Sequence, residues 1–187
     1  MFRRLPVLRH PSFRRLWLST TGSVLGDRIV LAATALYVTD LTGSPTDLGL
    51  VLGAQALPMV LLLLAGGVWA DRLPRARLMA VTDVVRGALQ ALVAVLIFTG
   101  AVRIWQLVAI GFLFGAAEAF SRPAAAGLLP QTVAESEVQE ANGLISSTGS
   151  IANLVGPAIG TALVVGDRKS TRLNSSHIQK SRMPSSA

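Results

Sequence analysis

The chain of 187 residues has no cysteine. Disulfide scaffolds, thiolate metal sites and cysteine nucleophiles are therefore excluded. Charge is also scarce. Only 14% of residues are Asp, Glu, Lys or Arg, against about 25% in a typical soluble domain. Aromatic residues make up 5%, and histidine occurs twice. No Ser-His-Asp set, metal-ligand spacing or glycine-rich phosphate loop is present, so the sequence carries no expectation of an enzyme, a metal or a cofactor. What is abundant is apolar surface: 51% of residues are hydrophobic and the mean hydropathy is +0.55. Such a composition fits neither an ordinary water-soluble domain nor a disordered chain.

The formal charge of +7 is unevenly placed. Residues 1–166 carry twelve arginines against nine acids and contain no lysine. Residues 167–187 carry five cations against one acid, including both lysines of the chain. The block Asp167–His177 looks like a translation of a common short-read sequencing adapter, and Ser181–Ala187 resembles the adapter's continuation past its barcode. That match covers eighteen of the 21 tail residues. The tail is therefore read as non-native and disordered, and it is set aside from fold reasoning. Residues 1–166 form the unit to be interpreted, with the native sequence beyond them missing. The competing reading is a basic, Ser-rich tail that binds lipid or nucleic acid.

Within residues 1–166, five apolar runs approach or exceed the roughly 20 residues needed to cross a bilayer as a helix. They fall at about Leu16–Leu41, Leu48–Trp69, Leu78–Gly100, Ile104–Phe120 and Ala141–Val165. The expected fold is all-α: a polytopic membrane protein with five transmembrane helices. The connections alternate in character. Residues 41–47 hold no cation, whereas 70–77 hold Arg72, Arg75 and Arg77, and five arginines precede the first run. Arginine-rich short loops stay in the cytoplasm. This places the N-terminus and the connections 70–77 and 121–140 inside and 41–47 and 100–103 outside, in the inner (plasma) membrane. Arg103 is the one cation on the unfavoured side. The arginines thus mark one face of a bilayer and do not form a nucleic-acid patch, so lipid is the expected partner and nucleic acid is not.

Several polar residues interrupt the runs. Asp27 and Arg28 lie mid-span, where ionisable groups are costly and usually face a cavity or a partner. Asp27 has two readings: a proton- or substrate-linked cavity site, or a structural ion pair with Arg86 or another span. Gln55 either lines the same cavity or packs between helices. Asp83 and Arg86 share a helix face at i, i+3. Glu118 and Arg122 bracket the inner end of the fourth run, and Glu118 is the candidate partner of Arg75.

Two motifs carry a family resemblance. The first is Gly67-Val-Trp-Ala-Asp71-Arg72-Leu-Pro-Arg75-Ala-Arg77, between the second and third runs. It resembles the signature loop of the major facilitator superfamily, roughly Gly-x-Leu-Ala-Asp-Arg-x-Gly-Arg-Arg, with Trp69, Pro74 and Ala76 as departures. The second is Gly143, Ala152, Gly156-Pro157 and Gly160-Thr161 in the fifth run. It resembles the packing motif of the superfamily's exporters, with Ala152 and Thr161 in place of glycines. Phe13-Arg-Arg-Leu-Trp17, Leu25-Gly-Asp27, Leu41-Thr-Gly-Ser44 and Ser121-Arg-Pro123 resemble the enterobactin-exporter-like branch.

The resemblance implies a twelve-helix fold in two six-helix halves built from inverted repeats, of which this chain holds five helices and lacks the sixth. It implies a conformational latch at Gly67, Asp71, Arg72, Arg75, Arg77 and Glu118. It also implies a proton and substrate cavity at Asp27, Arg28 and Gln55, and a helix-packing export motif at Gly143, Gly156, Pro157 and Gly160. The full protein would be a proton-coupled exporter of drugs, siderophores or similar small molecules that works by alternating access, and the fragment alone should be inactive. The alternatives are a membrane-embedded structural or assembly protein without transport activity, and an integral-membrane enzyme or receptor.

Overall fold

The structure, a computed structural model, describes residues 6–180. The side chains of 65–71, 165 and 167–180 lie outside what it describes, and Gly67 and Asp71 fall in the first of these stretches. Five α-helices account for most of the chain: α1 (Pro11–Thr42), α2 (Pro45–Arg72), α3 (Arg75–Phe98), α4 (Ile104–Leu128) and α5 (Val138–Lys180). Short 3-10 turns cover Pro6–Arg9, Leu129–Gln131 and Glu135–Glu137. No strand occurs among the described residues.

The helix limits follow local chemistry. Pro11 opens α1, where its missing N–H costs nothing. Gly43 closes α1 in the left-handed region, at φ 62°, and its N–H donates to the Thr39 carbonyl. Pro45 then begins α2, so the turn is only two residues long. The shortest helix, α3, has 24 residues and a length of about 36 Å, more than the hydrocarbon core of about 30 Å. Three helical segments are both long and apolar enough to cross a membrane: Pro45–Leu64, Arg75–Phe98 and Ile104–Gln131. The helices α1 and α5 have the length, at 32 and 43 residues. Asp27 and Arg28 in α1 and the many Ser, Thr and Gly residues of α5 lower their hydropathy.

Three expectations change. The connection expected at 121–140 is shorter, because α4 runs through Pro123 to Leu128 and carries Arg122 on the helix. A proline inside a helix leaves one carbonyl without its donor, and the Ala124–Ala126 run carries the helix on. The connection expected at 70–77 contracts to Leu73-Pro74, with Arg72 ending α2 and Arg75 starting α3. The helix α5 also continues to Lys180, so the backbone of 167–180 is helical where disorder was expected. No proline follows Pro157 before Pro184, so no strong breaker halts propagation from the helix already formed.

The helices pair mainly as α2 with α4, α1 with α5, and α3 with α4. One apolar cluster closes the end nearest the N-terminus, around Phe13, Leu16, Met79, Ala124 and Ala141. A second closes the opposite end, around Val38, Val51, Val93, Leu107 and Ile110. Burial runs opposite to that of a water-soluble bundle. Leu64 is 84% exposed and Leu154 79%, whereas Arg86 is 7% exposed. Large apolar surfaces facing outward fit a lipid surrounding.

Candidate functional site

Between the two apolar clusters lies a charged level. Arg86 of α3 is its hub. Its Nη2 group donates to Asp27 Oδ2 of α1, and its Nη1 lies 3.4 Å from Asp83 Oδ1, one turn earlier on α3. Gln90, one turn later, donates from Nε2 to Asp27 Oδ1 at 2.5 Å. Ser19 donates to the other Asp83 oxygen at 3.0 Å. The guanidinium also sits 5.0 Å from the Phe114 ring centroid, within cation–π range. A buried charge is tolerable when it is paired and its hydrogen-bonding capacity is used. Arg86 meets most of that requirement, and only its Nε lacks a partner. Of the two readings of Asp27, the ion pair with Arg86 is present.

The ion pair does not remove Asp27 from the cavities. Asp27, Arg28 and Gln55 line one cavity of about 220 Å³ with Leu52, Met59, Phe114, Glu118 and Arg122. A neighbouring cavity of about 210 Å³ shares Asp27, Arg28, Glu118 and Arg122, and adds Thr20, Ser23, Asp83, Arg86 and Ser121. The three residues expected to form a cavity therefore do share one.

Glu118 has a different partner from the one expected. It pairs with Arg122 Nη2 at 2.7 Å, one turn along α4. Arg75, at the start of α3, instead donates to the Gly127 carbonyl near the end of α4, at 2.6 Å. Glu118 therefore belongs to the charged level, half a helix away from Arg75. Arg72 and Arg77 are exposed at the same end of the bundle as Arg75. His10, expected at a solvated terminus, lies 2.9 Å from Glu137 and ties the segment before α1 to the α4–α5 connection.

The glycines of the second motif divide. A Cβ at Gly160 would meet the Ile29 carbonyl and Ala32, and a Cβ at Gly156 would overlap the Cβ of Arg28. These two positions let α5 lie directly on α1. Gly143 has open space around it and supports no contact. Pro157 lies within α5 beside Gly156. Sequence reasoning missed the matching pair on α4. Gly111 faces the Val51 carbonyl, and a Cβ at Gly115 would overlap the Gln55 carbonyl and crowd Pro58. Their Gly-x-x-x-Gly spacing was the available signal. Gln90 was also missed, although its i, i+4 relation to Arg86 puts both on one helix face.

An apolar exterior, charge pairs between helices and a polar cavity halfway along the bundle define a helical membrane protein with an internal site. Residues 4–171 match the transmembrane secretion effector family. The chain belongs to that family and so to the MFS-type transporters. Macrolide efflux protein A of Streptococcus pyogenes is 26% identical over 151 residues, which are 81% of this chain and 37% of that protein. An uncharacterized MFS-type transporter of Bacillus subtilis, YfiS, is 30% identical over 147 residues, which are 78% of this chain and 34% of that protein. The chain thus spans about a third of the length of the curated relatives it matches. No solved structure matches it.

Proposed function

We propose that this chain is the N-terminal part of a proton-coupled exporter that works by alternating access, with five helices crossing the plasma membrane and the N-terminus in the cytoplasm. Its cargo is a drug, a siderophore or a similar small molecule, the class expected for an enterobactin-exporter-like branch. The observation that carries the proposal is the cavity at mid-bundle lined by Asp27, Arg28 and Gln55. A carboxylate that faces both a cavity and an arginine on another helix can exchange that arginine for a proton, and the exchange would bias how α1 and α3 pack. The likeness to a macrolide efflux protein supports the direction of transport. Arg75, bridging α3 to the end of α4, supports a latch at the arginine-rich end in which Gly67, Asp71, Arg72 and Arg77 take part. The fusion of residues 1–166 to an adapter-derived tail is part of the same proposal, and so is the inactivity of the chain alone.

The test is efflux from liposomes with an imposed pH gradient, comparing the 187-residue chain with the gene extended through its native sequence beyond codon 166. The extended protein is expected to export and the shorter chain is not. Asp27→Asn in the extended protein is expected to abolish gradient-driven export. Gradient-driven export that survives Asp27→Asn unchanged would remove Asp27 from the coupling role. Efflux from the shorter chain would overturn its inactivity.

A further inference from the structure

We infer that the charged level binds an amphipathic organic anion, an oxyanion group on an apolar body, with Arg28 as its charge partner. The inference deepens the export reading and rests on it only for the ligand being cargo. Three acids and three arginines line the cavity of about 210 Å³. Asp27 and Asp83 are taken by Arg86, and Glu118 is taken by Arg122. Among the described residues, Arg28 alone of the six has no hydrogen bond or ion pair.

A second observation points the same way. Two buried polar atoms in the wall of that cavity have no partner, Arg28 Nε and Thr20 Oγ1. The first can only donate, and the hydroxyl can donate by rotating. Leaving such atoms unpaired is costly, and an oxyanion is an acceptor that either could use. A cationic ligand would compete with Arg86 or Arg122 for an acid already in use. An anion displaces nothing.

The adjoining cavity adds apolar wall beside its polar groups. It shares Asp27, Arg28, Glu118 and Arg122, adds Gln55, and is walled elsewhere by Leu31, Leu52, Met59 and Phe114. Arg28 therefore stands where two cavities of mixed charged and apolar lining meet. Its stem is held there by α5, which approaches Arg28 closely because residue 156 is glycine.

The 187-residue chain in nanodiscs of zwitterionic phospholipid can be titrated calorimetrically with 1-naphthoate and, separately, with 1-naphthylmethylammonium. The chain is expected to bind naphthoate and to bind the ammonium probe more weakly. Arg28→Gln is expected to weaken naphthoate binding by about tenfold or more, the scale of a lost charged hydrogen bond. Arg28→Lys is expected to retain part of it. Thr20→Val is expected to cost about threefold, and it decides the matter if Arg28→Gln does not fold. Absence of naphthoate binding, a preference for the ammonium probe, or unchanged naphthoate binding in folded Arg28→Gln overturns the inference. In the case where Arg28→Gln does not fold, unchanged binding in Thr20→Val overturns it. Naphthoate binding by the chain, with no gradient-driven export by the extended protein, would sink the export reading and leave the anion site standing.

Discussion

Two of the bundle's three main seams use one device for different ends. In the α2–α4 seam, Gly111 and Gly115 let α4 lie on the backbone of Val51 and Gln55, with Pro58 buried beside them. In the α1–α5 seam, Gly160 meets the Ile29 carbonyl in the same way, but Gly156 sits on the side chain of Arg28. Without a hydrophobic driving force between helices in lipid, close approach of small residues is what lets dispersion forces hold them. The first seam is therefore mainly adhesive. The second also sets the position of a charge at the edge of the cavities. Missing methyl groups thus bring helices together, and in one place they also arrange the chemistry.

The contrast can be broken from outside the seams first. Arg86→Met leaves the half-buried Asp27 and Asp83 without their cation. A loss of about 3–5 kcal/mol is expected, as for other buried pairs broken from one side, read from denaturant unfolding in mixed micelles. Unchanged stability would mean that the seams alone hold the charged level. Gly115→Ala and Gly160→Ala come next. Each places a Cβ against a carbonyl of the facing helix, and each should cost about 1–3 kcal/mol in the same assay. A loss in one and none in the other would show that the seams are not equivalent as adhesives. Gly143→Ala is the smallest effect. Its Cβ meets nothing, so the variant should be neutral or more stable by up to about 1 kcal/mol from helix propensity. A clear destabilisation there would return Gly143 to the packing motif.

The bodies of all five helices were legible as long apolar runs, and three of them are long and apolar enough to cross a membrane. Their ends were less so. Arg75, Arg77 and Arg122 were read as loop residues because charge normally ends a span. In the structure they prolong helices, since arginine is a good helix former wherever its head can reach a polar surrounding. Asp27 shows a different limit. Its position marked it as paired or functional, and Arg86 was one of the partners considered, yet nothing along the chain could choose between the roles. Glu118 shows the same limit more sharply. Arg122 was four residues away, but Arg75 was favoured because a latch needs an acid.

What the sequence by itself determined is the class: helices, their number and their apolar faces. These follow from the free energy of single segments in lipid, which depends on local composition. The tertiary structure alone decided which charge meets which, that Gly111 and Gly115 form a seam, and that Arg28 is left with neither a hydrogen bond nor an ion pair. Those outcomes depend on how each helix is rotated about its axis, and that rotation is set jointly by every neighbour it packs against.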